Sequence, residues 1–85
     1  PLAMSVSPNP WSDLLQVNIA NGVRGKGTLM MFDQNGKQVW QRQETIVTGD
    51  LETWIRRMPD WKAGTYHLSF TQNNERETIT IILTE

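Results

Sequence analysis

The single histidine, His67, is the first place to look for chemistry in these 85 residues, because imidazole both moves protons and binds metals. With no second histidine and no cysteine, a zinc ion would need a donor set built on carboxylates, which is uncommon. His67 also falls out of phase with Tyr66 and Leu68 in an alternating run, so parity places it on a solvated face. No serine stands in a Gly-x-Ser-x-Gly setting that would expose a hydrolytic nucleophile. Asp13, Asp33, Asp50 and Asp60 all lie beside turns, where a carboxylate commonly caps backbone amides. A calcium site would instead need several oxygens converging from one loop. The glycines form no phosphate-cradling pattern leading into a helix and read as turn residues.

Trp11, Trp40, Trp54 and Trp61 are in excess for so short a chain and could form a platform for stacking sugar rings. Core and corner packing is the stronger claim on them, because a domain this small buries only about 60 to 65% of its unfolded surface and needs large side chains to close. Arg56-Arg57 could grip an anion, but on a strand edge the pair would equally discourage aggregation. Eight basic and nine acidic residues give a net charge of −1, which leaves no footprint for a phosphate backbone, so nucleic acid is not an expected partner. The apolar runs Leu29 to Phe32 and Ile81 to Leu83 are far shorter than the ~20 residues that span a bilayer, so no transmembrane segment is expected. Nothing calls for a cofactor or a metal, and no catalytic constellation emerges.

The elements that carry these residues are strands. Short β-branched and aromatic stretches alternate with Gly, Asn, Asp and Pro at intervals of about ten residues, the pattern of an all-β sandwich. Val6 lies in an opening strand stopped by Pro8-Asn9-Pro10. Leu15, Val17 and Ile19 alternate with Gln16 and Asn18, and Asn21-Gly22 with Gly25 and Gly27 breaks that run. Thr28 to Asp33 is apolar on both faces, as a central strand would be, and Asn35-Gly36 turns it back into a strand from Lys37 to about Glu44. Leu51 to Arg57 is a strand whose inner face the sequence leaves open between Leu51, Thr53, Ile55 and Trp54, Arg56, Met58. A corner around Trp61 leads to Tyr66, Leu68 and Phe70, and Asn73-Asn74 turns into a last strand with Ile79, Ile81 and Leu83 alternating with Thr78, Thr80 and Ile82. The expected fold is all-β, an immunoglobulin-like β-sandwich of about seven antiparallel strands in two sheets. Pro1 to Met4 reads as a linker or cloning remnant, with the folded unit from Ser5 to Glu85.

Three ordered blocks give this pattern a family likeness. Ser7-Pro8-Asn9-Pro10 followed by Asp13-Leu14-Leu15-Gln16-Val17 resembles the opening of type IX secretion C-terminal sorting domains. Phe32-Asp33-Gln34-Asn35-Gly36-Lys37-Gln38-Val39 resembles their central hairpin, and Trp61-Lys62-Ala63-Gly64-Thr65-Tyr66-His67-Leu68 resembles their A-G-x-Y segment. The chain departs from that pattern at Lys62, where proline is frequent, and at Arg56, where an apolar residue is usual. It departs again in the lysine-free, acidic ending Thr80 to Glu85.

The resemblance implies a seven-stranded sandwich at the end of an exported protein, carried through the periplasm to the surface of a Gram-negative bacterium or beyond. Its implied partners are type IX components: an outer-membrane shuttle barrel, a cysteine-protease sortase that cuts before the domain, and anionic lipopolysaccharide to which the parent is joined. Some family members stay uncleaved in the apparatus itself, and the acidic ending is compatible with that. Recognition is expected at Pro8, Asn9, Pro10, Asp33, Gly36, Lys37, Gly64, Tyr66, Ile81, Ile82 and Leu83. The terminal run Thr78 to Glu85 and the strand edges would form the surface read, with strand addition as its mode. An uncovered edge would also permit an edge-strand dimer. The alternative is a carbohydrate-binding or adhesive sandwich attached to a secreted hydrolase.

Overall fold

The computed structural model describes all 85 residues. Seven strands follow one another: β1 (Ala3–Ser7), β2 (Leu14–Ala20), β3 (Gly25–Asp33), β4 (Gln38–Ile46), β5 (Leu51–Arg56), β6 (Gly64–Gln72) and β7 (Glu75–Leu83). They form a three-stranded sheet, β1-β2-β5, and a four-stranded sheet, β4-β3-β6-β7, with every strand pair antiparallel. The immunoglobulin-like sandwich expected from the alternation is therefore present, with β3 central in the larger sheet.

Period-two alternation is what closes the two layers on each other. Leu15, Val17 and Ile19 of β2 face Leu29 and Met31 of β3, Leu68 and Phe70 of β6, and Ile81 and Leu83 of β7 in one buried cluster. Each such side chain withdrawn from water contributes roughly 1.5 to 3 kcal/mol. Pairing with β2 resolves the open face of β5, because Ile55 lies beside Leu15 and Thr53 beside Val17. Ile55 is fully buried, while Trp54 and Arg56 point outward.

Two expectations need correcting. Gly25 and Gly27 do not break the chain: both lie inside β3, opposite Ile46 and Glu44 of β4. Gly27 is required by packing, since a Cβ there would collide with the Cζ edge of the Phe70 ring. The folded unit also reaches further toward the N-terminus than Ser5. Ala3 and Met4 pair with Ala20 and Ile19, and Leu2 is buried with the core.

Polar groups close the sandwich where apolar side chains run out. At one end the buried Gln72 amide accepts from Val23 N at 2.9 Å and donates to Val23 O at 2.7 Å, holding the β2–β3 loop. On the β4/β5 flank, Arg42 pairs with Glu44 at 2.6 Å and donates to Thr53 Oγ1 and Trp54 O, both at 2.9 Å. The opposite end of the sandwich gathers the β3–β4 turn, the Trp61 corner, the start of β2 and the end of β7.

Candidate functional site

That second end collects all three sequence blocks. Pro8-Asn9-Pro10 lies along the outer edge of β7, with the Ser7–Pro8 and Asn9–Pro10 bonds both cis. The Asn9 side chain acts as a spare peptide group there: its Nδ2 donates to Thr80 O at 3.2 Å and its Oδ1 accepts from Ile82 N at 3.0 Å. The Trp11 backbone extends the same contact, its amide donating to Ile82 O at 2.9 Å and its carbonyl accepting from Thr84 N at 2.8 Å. The outward backbone from Thr80 to Thr84 is therefore largely occupied within the chain. Strand addition by a partner along this stretch would have to displace the Asn9 and Trp11 contacts.

The second and third blocks face each other across a groove of about 390 Å³, rimmed by Asp33, Lys37, Asp60 and Lys62 and floored by Trp61 and Tyr66. Its hairpin wall is built locally. Asp33 Oδ1 accepts from Asn35 N at 2.9 Å and from Lys37 N at 3.0 Å, while Gly36 N donates to Asp33 O at 2.9 Å. Gly36 takes φ of 82° and Asn35 stays in the ordinary region, so only one of the two turn residues uses left-handed backbone. Asp33 N donates to Lys37 O at 2.9 Å, which closes a three-residue loop, and the register between β3 and β4 shifts separately further along, at Met31/Phe32. The facing wall enters β6 through Gly64, whose φ of 154° lies in territory that favours glycine. Tyr66 then sends its hydroxyl back to Lys62 O at 2.7 Å. Burial raises the Tyr66 pKa, and the carboxylates of Asp33 and Asp60 push the same way. The positive charge of Arg57 opposes them without cancelling the rise.

Aromatic rings join the two halves of this end. Trp61 meets Trp11 edge-on at 6.3 Å and Trp40 edge-on at 6.4 Å, and its centroid lies 6.2 Å from that of Tyr66. Trp11 and Trp61 are buried, so the four tryptophans form no stacking platform, and Trp54, 46% exposed, stands alone on the other sheet.

Arg57 is the residue that sequence reasoning missed. Far from an exposed partner of Arg56, it donates to Trp61 O from Nε and Nη2 at 3.2 and 3.0 Å, to Ser12 O at 3.1 Å and to Thr84 O at 2.7 Å. One guanidinium thus ties the corner, the start of β2 and the end of β7. The sequence holds no cue to this, because the phase that turns Arg56 outward is settled only by the pairing of β5 with β2. Arg56 itself pairs with Asp13 at 3.1 Å, both side chains largely in solvent.

The expected recognition residues divide by this geometry. Lys37 and Ile82 are exposed, and Asp33, Gly36 and Gly64 shape the backbone of the groove walls. Ile81, Leu83 and Tyr66 are buried and support the surface from beneath. His67 sits on the outer face of the larger sheet, its Nδ1 3.2 Å from Thr80 Oγ1, and no group of three or more metal-ligating side chains forms anywhere in the chain.

Residues 5–84 match the family described as secretion system C-terminal sorting domain. Neither a curated protein nor a solved structure shows significant similarity to the chain. A match across nearly the whole length, on a seven-stranded sandwich with its three family-like blocks at one end, establishes that the chain belongs to the type IX secretion C-terminal sorting domains, which direct bacterial proteins to the cell surface or beyond.

Proposed function

We propose that this domain works as an address whose readable part is the end of the sandwich formed by the hairpin, the Trp61 corner and the capped terminal strand. One observation carries the reading: segments separated by dozens of residues, and matching the family pattern, meet at one end of the sandwich. The outer-membrane shuttle barrel engages that surface, and the sortase then acts on the extended backbone preceding the domain. Because Leu2 is buried and Ala3 is paired, a cut that spares the core falls before Leu2. Transfer of the parent to anionic lipopolysaccharide follows that cut.

Deleting β7 is a poor test, since it strips Ile81 and Leu83 from the core and would unfold the address whatever reads it. A reporter fused ahead of the chain and carrying Lys37→Glu with Lys62→Glu, or Ile82→Asp, changes only exposed side chains. Export of the reporter should fall with at least one of these sets while circular dichroism stays unchanged. Full export from both, or export of the reporter without the domain, would refute the reading. The glycan-binding alternative retains one exposed ring, Trp54, and predicts a tryptophan fluorescence change on titration with soluble glycans. The sorting reading predicts none.

A further inference from the structure

The long outer edge of β4 is self-complementary, and we propose that it pairs with β4 of a second copy of this chain, joining two four-stranded sheets into one of eight. The orientation of its backbone follows from the ladder. Thr80, Ile82 and Thr84 use their backbone groups away from β6, so the odd-numbered residues of β7 are the ones bonded to it. Carried across the register, the alternation turns odd-numbered β6 residues toward β3 and odd-numbered β3 residues toward β4. The bonded pairs between β3 and β4 are then Gly27 with Glu44 and Leu29 with Arg42. Gln41, Gln43 and Thr45 direct their N–H and C=O groups outward.

The side chains on this edge specify one register. In an antiparallel pair related by a two-fold axis at Gln43, Gln43 meets Gln43 of the second copy and Gln41 meets Thr45, all outward-directed backbones as bonding requires. Arg42 then stands opposite Glu44, and Glu44 opposite Arg42, on the same face and in the closer, non-bonded pair class with Cα atoms about 4.5 Å apart. Axes at Gln41 or Thr45 would lose this match of charge. Charges pointing inward ordinarily protect an edge, but here each would meet its opposite, and the Arg42–Glu44 pair of each chain would become half of a ring of four.

The other edges are less able to do this. The end of β7 from Thr80 and the Thr84 that follows it are covered by Asn9 and Trp11, Trp54 O of β5 already accepts from Arg42, and β1 has only five residues. The outer edge of β4 carries neither lysine nor proline, and its bulge lies near the hairpin, outside Gln41 to Thr45.

Sedimentation equilibrium should show a mass that rises with concentration from 9.8 kDa toward twice that value. The amides of Gln41, Gln43 and Thr45 should become protected from hydrogen exchange over the same range. Gln43→Pro removes an outward donor and none directed at β3, so it should leave a folded monomer. Glu44→Arg sets like charges opposite each other at two sites and should weaken association roughly tenfold, with recovery in Arg42→Glu/Glu44→Arg. In this cysteine-free chain, Gln43→Cys should cross-link to itself on oxidation and Thr78→Cys should not. A chain that stays monomeric at high concentration would overturn the proposal. Dimers that ignore Gln43→Pro, or that cross-link through position 78 and not 43, would overturn it equally.

Discussion

Arg57 shows how one side chain can decide whether an end of a sandwich is ordered. Its planar fork reaches three carbonyl oxygens that no backbone ladder serves, and a lysine offers no such planar set of donors. Arg57→Ala should lower unfolding stability by about 2 to 3 kcal/mol, the scale of charged hydrogen bonds lost from partly buried carbonyls. Urea titration would measure it, and Arg57→Lys should recover only part. Tyr66 offers a prediction in pH. Its folded pKa is raised, so the folded state holds the phenolic proton more tightly than the unfolded chain, and the stability so gained is present below the unfolded value of about 10. It is lost as pH rises through that value and on through the folded one. Tyr66→Phe should cost about 1 kcal/mol at neutral pH through the bond to Lys62 O, and the gap between variant and parent should narrow above about pH 10.

At the scale of elements, edges and crossings matter more than single contacts. Asn9 and Trp11 act together as a short surrogate strand along β7, a parallel bridge that joins Trp11 to Leu83. Asn9→Ala should leave the fold intact and expose the Ile82 amide, measured as a loss of hydrogen-exchange protection there while the amides of Tyr66 and Leu68 keep theirs. β3 depends on the opposite device, an absent side chain. Gly27→Val should destabilise by about 1 to 3 kcal/mol through overpacking against Phe70, with a lowered melting temperature and a disturbed aromatic near-ultraviolet signal.

Taken whole, the molecule is a slab of 36 × 22 × 19 Å whose two ends have different characters. The Gln72 end is closed by one buried amide, and the Trp61 end by aromatic rings and a guanidinium. Acrylamide quenching should find Trp54 the most accessible of the four tryptophans, and Trp54→Phe should remove the largest part of the quenchable emission. Much of this architecture can be read from residue order, because strand parity and turn chemistry act over two to five residues. The alternation of Leu15, Val17 and Ile19, the Asn35-Gly36 reversal and the alternating set Ile79, Ile81, Leu83 each fix a local geometry before any partner is known. The family pattern is local in the same sense, three short blocks in order. Contacts between residues far apart in the chain were beyond that reach. Arg57 with Ser12, Asn9 with Ile82 and Gly27 with Phe70 are separated by 45, 73 and 43 positions, so nothing in either neighbourhood announces them. The inner face of β5 was undecidable for a related reason: Leu51 to Arg57 carries large side chains in both phases, and only its pairing with β2 selects Ile55 over Trp54. Sequence alone determined the strands and their turns, since those energies are local. Tertiary structure alone decided which faces, edges and carbonyls meet, since that depends on how two sheets close over one core.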